Sequence, residues 1–290
     1  MCLAAFAINA SSRWPLVLAS NRDEFFDRPA LPLAAWQTAA GQRIISGRDE
    51  QAGGSWLGMS PNGRIALLTN VREASLQGQP QSRGELVIDW LIGTGDAHSF
   101  AAKKDGSLYG GFNIVLGDLQ HGQWYVWSNR PAGATPVPPQ PLADGVYGLS
   151  NAALDTPWPK TVALKSALRT AMNAARNAAS PAELRGTLFE ALSNPDRAAV
   201  GELPQTGVPP ELEHALSSAH VCLPERNYGT RCASVIVVSA ARQKGVRTAR
   251  VWKVSFTETG FLPHPDGSTS EAVAAVNFSV PLPAATSATD

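Results

Sequence analysis

Short apolar segments separated by turn-forming residues run through most of the chain, a pattern that favours β-strands. Residues 3–9 and 16–20 are two such segments, and serine and proline residues lie in and around the short connection between them. The two segments are therefore predicted to pair as an antiparallel hairpin. A turn centred midway between them puts Cys2 opposite Asp23, within about two positions.

The same pattern predicts further strands, and helical spacing of apolar residues predicts several helices. The strands are expected at residues 56–59, 64–69, 112–116, 124–127, 146–150, 232–239 and 246–256. The helices are expected at residues 83–91, 161–178, 181–192 and near 211–217. Because the strands come as antiparallel neighbours and the main helices cluster apart from them, we expect an α+β fold, in which helices flank two antiparallel sheets.

Composition and charge narrow the function. The 290 residues contain 24 Lys+Arg and 24 Asp+Glu, so the formal net charge is zero, which argues against nucleic-acid binding. The longest apolar run is about half the ~20 residues of a transmembrane helix, and the N-terminus lacks the basic region of a signal peptide. We expect a single domain over residues 1–280 with a frayed tail over 281–290.

Cysteine usage and motif searches exclude several classes of site. The three cysteines form no CxxC pair, which fits a reducing cytoplasm and gives neither a disulfide framework nor a zinc site. The sequence contains no phosphate-binding P-loop, no GxSxG nucleophile elbow and no HExxH zinc motif. We therefore expect no metal site.

Cys2 is the residue that carries a distinct chemistry. Removal of Met1, which precedes a small residue, leaves Cys2 with both a thiol and a free α-amine. The pKa of an α-amine is about 7.7–8.0, so this amine is partly neutral at pH 7 and accepts the proton of the thiol. Nucleophile and base then belong to one residue. The alternative is that Cys2 is a small strand residue with no chemical role.

A polar cluster, residues 20–24, follows the second predicted strand. The predicted register brings Asp23 near Cys2, where its carboxylate can hold the α-amine, and a neighbouring arginine favours the thiolate. The alternative is a solvated strand end, where charges are common.

Several motifs, in order along residues 1–260, resemble the NRDE family, which includes the transport and Golgi organisation 2 proteins of animals. They are Met1-Cys2-Leu3, Asn21-Arg22-Asp23-Glu24-Phe25 with Arg28-Pro29, Gly53-Gly54-Ser55-Trp56-Leu57-Gly58, Leu68-Thr69-Asn70, Arg83-Gly84-Glu85-Leu86, Gly111-Phe112-Asn113, Tyr147-Gly148-Leu149-Ser150-Asn151, Thr156-Pro157-Trp158-Pro159-Lys160 and Tyr228-Gly229-Thr230-Arg231. The resemblance implies the αββα sandwich of N-terminal-nucleophile (Ntn) hydrolases. For the paired glycines, structural packing is favoured over a role in bordering a pocket.

The resemblance also implies a set of site residues, by similarity to Ntn amidases of penicillin V and conjugated bile salts. Cys2 would be the nucleophile, Asp23 would orient the α-amine, Asn151 would stabilise the oxyanion, and Arg231 or Arg22 would stabilise thiolate or bind a substrate anion. Asn21, Arg22, Asn70 and Asn113 are the expected substrate-binding residues. The amidase arginine falls on Ser20, so this chain departs from that pattern, although positions 20 and 22 share one face of a strand.

Three functions follow from this resemblance. The first is hydrolysis of a small-molecule acyl amide, which requires no cofactor. The second is non-catalytic binding of haem, acyl-CoA or a lipid in the same pocket, with Cys2, Arg22 and Arg231 as ligand contacts, since thiolate ligates haem iron. The third, a structural or trafficking partner protein, finds little support in a neutral chain without charged tails.

Overall fold

The computed structural model describes residues 2–73, 80–130, 137–175, 180–242, 250–263 and 269–282. Within them lie two antiparallel seven-stranded sheets. The strands are β1 (Cys2–Ile8), β2 (Leu16–Phe25), β3 (Ala30–Gln37), β4 (Arg43–Asp49), β5 (Leu57–Met59), β6 (Arg64–Asn70), β7 (Phe112–Asp118), β8 (Gln123–Ser128), β9 (Gln140–Pro141), β10 (Gly145–Leu149), β11 (Cys222–Leu223), β12 (Tyr228–Arg242), β13 (Arg250–Pro263) and β14 (Thr269–Pro281). The first sheet has the order β10-β1-β2-β12-β13-β14, with β11 paired to β12, and the second runs from β3 to β9 in chain order.

Helices cover the outer faces of both sheets. They are α1 (Arg83–Ile92), α2 (Ala97–Ala101), α3 (Pro159–Ala175), α4 (Pro181–Leu192) and α5 (Pro210–Ala215). The α4 helix begins with a capping box, in which Ser180 accepts from the backbone N–H of Glu183 and Glu183 accepts from that of Ser180. The predicted helices are confirmed, except that residues 176–178 of one lie outside the described residues.

Both faces of β1 are buried, which explains why the strand is apolar at every position. Its even-numbered side chains pack between the two sheets, while the odd-numbered ones pack against α3 and α4. On the second sheet, a separate apolar cluster packs under α1, with Leu86 and Trp90 buried against the strands. Four layers result, and the expected αββα sandwich is confirmed.

Five strands were not expected from the sequence: β3, β4, β14 and the two-residue strands β9 and β11. β3 carries a proline, and β14 is rich in alanine, which has a low strand propensity, so neither gave a clear pattern. β14 nevertheless pairs with β13 along its whole length. β4 forms a hairpin with β3. Pro281, expected in the tail, ends β14, and residues 283–290 lie outside the described part of the chain, as do residues 246–249 of the predicted last strand.

The register of the first hairpin differs by one residue from the expected one. Cys2 lies opposite Arg22, not Asp23. The connection contains an odd number of residues, closed by the Asn9 N–H donating to the Pro15 carbonyl at 2.8 Å, with Asn9 in the left-handed region (φ 46°). The pairing is therefore centred on residue 12, whereas the sequence predicted a centre midway between residues 12 and 13.

Candidate functional site

A cavity of about 680 Å³ opens at one end of the sandwich, where β1 begins and β2 ends. Its wall includes Cys2 and the three consecutive residues Arg22, Asp23 and Glu24. The second sheet, the turn that follows β4 and the start of α1 supply the opposite wall, including Asp49, Trp56, Asn70 and Arg83. Both sheets thus contribute to one cavity around the amino end of the chain.

Cys2 is almost fully buried, with 7% of its surface exposed. As an even-numbered residue of β1 it faces the space between the sheets. Its carbonyl oxygen accepts a hydrogen bond from Ser150 Oγ at 3.0 Å, which ties the first residue of β1 to the end of β10. Burial raises the pKa of the Cys2 thiol above its ordinary value, and nearby positive charge, including Arg22, offsets only part of this effect. The thiol is consequently neutral at pH 7 in the chain that retains Met1.

Arg22 is held by stacking and by two carboxylates. Its guanidinium carbon lies 4.3 Å from the centre of the Trp56 ring. Its Nη2 lies 3.4 Å from Asp49 Oδ2 and 3.8 Å from Glu24 Oε2. Arg28 joins the same group through Asp49 at 2.7 Å. These contacts fix a buried guanidinium directly across the strand pair from Cys2.

Asp23 is buried beside a β-bulge in β12. Its Oδ1 accepts from the Thr230 hydroxyl at 2.7 Å. The bulge lies between Thr230 and Cys232, so Arg231 is the extra residue that has no partner in the ladder with β2. Asp23 lines the cavity next to Arg22, although the sequence placed it opposite Cys2.

The structure brings Arg231 to a different place from the one expected. Its Nη1 donates to the carbonyl oxygens of Phe25, Phe26 and Arg28 at 2.8–3.0 Å, so it braces the corner between β2 and β3. It is not among the residues that line the cavity. Burial lowers the pKa of the Arg231 guanidinium, with the positive charge of Arg22 adding to the effect.

The four predicted asparagines also differ in whether they line the cavity. Asn70 lines the cavity, and its carbonyl oxygen accepts from Asn151 Nδ2 at 2.9 Å, which places Asn151 directly behind that wall. Asn21 faces the helices, because adjacent strand residues point to opposite sides, and it donates to the carbonyls at positions 192 and 219. Asn113 donates to the Ala152 carbonyl. Neither Asn21 nor Asn113 lies in the cavity wall.

Sequence reasoning assigned no role to several charged residues of the wall. They are Glu24, Arg28, Asp49, Glu73, Arg83 and Arg130. Glu24, Arg28 and Arg83 stand within the family motifs, which was a signal that could have identified them. Asp49, Glu73 and Arg130 carried no motif, since only the folding of the second sheet brings them to the cavity.

The paired glycines serve packing, as expected. A Cβ at Gly54 would overlap the backbone of Gly84. This contact lets the chain before β5 press against the first turn of α1, and Ser55 N–H donates to the Gly84 carbonyl at 3.1 Å. Gly54 and Gly84 therefore allow the start of α1 to form part of the cavity wall.

Buried charges lie close to Asp23 and Cys2 outside the cavity. Lys160, at the start of α3, donates from Nζ to the Leu216 carbonyl at 2.9 Å. Burial lowers the pKa of Lys160 to about 8, while the charge of Asp23 acts in the opposite direction. Arg72 pairs with Glu213 and stacks on Trp158 at 4.7 Å.

Comparisons with known proteins give a consistent family. The family model described as Transport and Golgi organisation 2 matches residues 1–251. The Transport and Golgi organization protein 2 homolog of Bos taurus is 34% identical over 256 residues, covering 83% of this chain and 89% of the bovine protein. The Homo sapiens homolog is 34% identical over 260 residues, with the same coverage. The Drosophila melanogaster Transport and Golgi organization protein 2 is 28% identical over 284 residues, covering 91% of this chain and 94% of the fly protein.

Two solved structures are similar to the chain at low identity. A Caenorhabditis elegans ortholog of N-acylethanolamine-hydrolyzing acid amidase superposes with a TM-score of 0.48 and 13% identity, covering 81% of this chain and 92% of that one. The C2A mutant of conjugated bile acid hydrolase from Clostridium perfringens superposes with a TM-score of 0.49 and 7% identity, covering 96% of this chain and 92% of that one. In the described part of this chain, no helix is long and apolar enough to cross a membrane.

Proposed function

The chain belongs to the Transport and Golgi organisation 2 family, and we propose that it is an Ntn-type cysteine hydrolase that cleaves the C–N bond of a non-peptide acyl amide. The observation that supports this most directly is the position of Cys2 in the cavity wall, with Arg22 across the strand pair and Asp23 next to it. A thiol at the second residue of the chain becomes an N-terminal nucleophile when Met1 is removed, because its own α-amine is then free to act as the base.

The reaction begins after removal of Met1. The α-amine of Cys2, held by Asp23, accepts the thiol proton, and the sulfur attacks the carbonyl carbon of the amide. The tetrahedral intermediate collapses when the C–N bond breaks and the α-ammonium gives its proton to the leaving nitrogen. An amine departs, and the acyl group remains on Cys2 as a thioester.

Water completes the cycle. The α-amine accepts a proton from water, the resulting hydroxide attacks the thioester carbonyl, and the S–C bond breaks. The sulfur then recovers the proton, so one amide and one water give one acid and one amine. For the oxyanion we propose Asn151, since one of its two amide N–H groups is already engaged by Asn70 and the other remains to donate.

In this proposal the remaining predicted residues position the strands and segments around the site. Asn21 and Arg231 hold β2 in place from its two sides, and Asn113 holds the segment after β10. The substrate is a small molecule, and no cofactor takes part. Free thiols at Cys2, Cys222 and Cys232 suit the reducing cytoplasm that we propose as the location.

Amine release from a panel of acyl amides tests the proposal. The protein is first checked by intact mass, so that only chains lacking Met1 enter the assay. We expect turnover that disappears in Cys2→Ala and persists in Cys222→Ala, because Cys222 is exposed and outside the cavity. Processed protein that turns over no amide in the panel would contradict the hydrolase.

A second function has its own supporting observation, the four arginines of the cavity wall. They suit the acidic groups of acyl-CoA or haem in a non-catalytic binding protein, with Cys2 as the one thiol of the wall able to ligate iron. Titration with haem distinguishes this function. A saturable Soret shift that is lost in Cys2→Ala supports haem binding, and absence of any shift counts against it.

A further inference from the structure

Three of the four arginines in the cavity wall are neutralised by carboxylates of the same wall. Arg22 and Arg28 share Asp49, at 3.4 and 2.7 Å. Arg130 pairs with Glu73 at 2.7 Å. These three cations are therefore held by carboxylates of the cavity wall.

Arg83 differs from the other three. Among the residues that the structure describes, no carboxylate lies within ion-pair distance of its guanidinium, and the hydrogen bond it makes is Nη1 to the Gly111 carbonyl at 3.2 Å. A guanidinium has five N–H donors in a planar fork. Most of this fork remains available in a half-buried side chain that lines the cavity.

The position of Arg83 in α1 adds to its positive potential. It is the first residue of the helix, where the unpaired backbone N–H groups form the positive end of the dipole, so a cation there is placed against the local field. Ser82 and Gly84, on either side, also line the cavity. Burial lowers the pKa of Arg83, while the charges of Glu24 and Glu73 act in the opposite direction from beyond ion-pair distance. An anion that binds at Arg83 would supply the close ion pair that none of the described carboxylates makes with it.

We propose that Arg83 and the first turn of α1 form a subsite for an anionic group, a carboxylate or a phosphate, on the non-reacting part of the substrate. The inference rests on the proposed hydrolase in assigning that group to an acyl amide. Arg83 and Cys2 line the same cavity, so a single small molecule can present its acid to Arg83 and its amide to Cys2. Arg83 thereby becomes a specificity-determining residue.

Matched pairs of amides test the subsite. N-butanoylglycine is compared with N-butanoylglycinamide, and N-butanoyl-phosphoethanolamine with N-butanoylethanolamine. We expect the wild type to prefer the anionic member of at least one pair by roughly tenfold or more in kcat/KM, as for a charge-assisted hydrogen bond. The pair that shows the larger ratio identifies carboxylate or phosphate as the preferred group.

Variants then assign the preference to Arg83. Arg83→Met should bring the anionic-to-neutral ratio close to one, and Arg83→Lys should keep part of it by retaining the charge. Arg169→Met, which removes the same charge from an exposed position of α3, is the control and should leave the ratio unchanged. A ratio near one in the wild type, or a preference that survives in Arg83→Met, would overturn the subsite.

A binding measurement separates this inference from the hydrolase. Pentanoate, butyl phosphate and neutral pentanamide are titrated into Cys2→Ala protein with and without Arg83→Met. Binding of an anion that is lost with Arg83→Met supports the subsite even if no amide is hydrolysed. No difference between the anions and pentanamide, while the wild type turns over neutral amides, would overturn the subsite and leave the hydrolase intact.

Discussion

Cys2 and Arg22 face each other across the β1–β2 pair, so both side chains project from the same face of the sheet into one cavity. Residues directly opposite in an antiparallel pair lie on the same side, at about 4.5–5.5 Å between Cβ atoms. The guanidinium is fixed by Trp56 and Asp49 and cannot swing away freely. Its charge therefore acts on the thiol continuously, against the larger effect of burial.

Alkylation of Cys2 should depend strongly on pH in protein that retains Met1. Because burial raises the thiol pKa, the thiolate fraction at pH 7 is small and grows about tenfold for each pH unit below the pKa. We expect iodoacetamide to label exposed Cys222 first at pH 7 and Cys2 increasingly above pH 9, followed by peptide mass mapping. Processed protein, with the α-amine as base, should label at Cys2 sooner. Equal rates in both forms would remove the basis for an activated nucleophile.

Asp23 and Asn21, two residues apart, should give opposite phenotypes. Asp23→Asn keeps the acceptor for Thr230 but loses the charge that holds the α-amine, so kcat/KM should fall roughly a hundredfold or more, as for loss of acid–base function. Asn21→Ala leaves two buried carbonyl groups without a donor and should cost about 2–3 kcal/mol of stability. Urea unfolding and amide turnover, measured on both variants, check this division. A catalytic loss in Asn21→Ala at full stability would contradict the placement of Asn21.

A methyl group at Gly54 should disturb the cavity through α1. Gly54→Ala places its Cβ inside the backbone of Gly84, and such overpacking costs about 1–3 kcal/mol. Gly186→Ala is the matched control, because no atom lies near its added Cβ and it stands inside α4, where alanine gains up to about 1 kcal/mol over glycine. Thermal unfolding should move in opposite directions for the two variants. Equal shifts would show that the Gly54–Gly84 contact is not tight.

Lys160 should make stability depend on pH in the alkaline range. Its pKa of about 8 in the fold lies below that of an unfolded lysine, about 10.4, so the unfolded chain binds more protons between these values and stability rises with pH across them. The gain in stability from a neutral Lys160 is complete above about pH 10.4 and is lost as the pH falls through about 8. Lys160→Met removes this pH dependence of the stability. Its unfolding free energy minus that of the wild type should be more positive at pH 7 than at pH 10, and a constant difference would contradict the buried, destabilised ammonium.

The Arg72–Glu213 pair should be costly to break from one side. Both side chains are at most 4% exposed, so Glu213→Gln leaves a buried guanidinium without its counter-charge, at a cost of about 3–5 kcal/mol. Glu73→Gln, which breaks the more exposed pair with Arg130, should cost about 1 kcal/mol or less. The double variant Arg72→Met with Glu213→Leu should recover most of the loss. Chemical denaturation of these three variants and the wild type measures the three costs.

The sequence by itself determined the strands of the first hairpin and the main helices, since each depends on local propensity and periodicity. It also determined that Cys2 is the candidate nucleophile, because that chemistry depends on chain position. Pairing and packing between segments distant in sequence decided the rest. β14 forms strand from alanine-rich sequence because β13 offers a full ladder of backbone partners.

The site required the tertiary structure for a related reason. One residue more or less in a turn shifts a register, so Cys2 faces Arg22 instead of Asp23, and a bulge in a distant strand sends Arg231 to the β2–β3 corner. Alternation turns Asn21 away from the cavity that Arg22, the next residue of β2, lines. Arg83 reaches that cavity because two glycines permit close contact between segments about 30 residues apart. Local sequence sets which residue types are available, but which face and which neighbour each one meets depends on pairings between segments that no local pattern encodes.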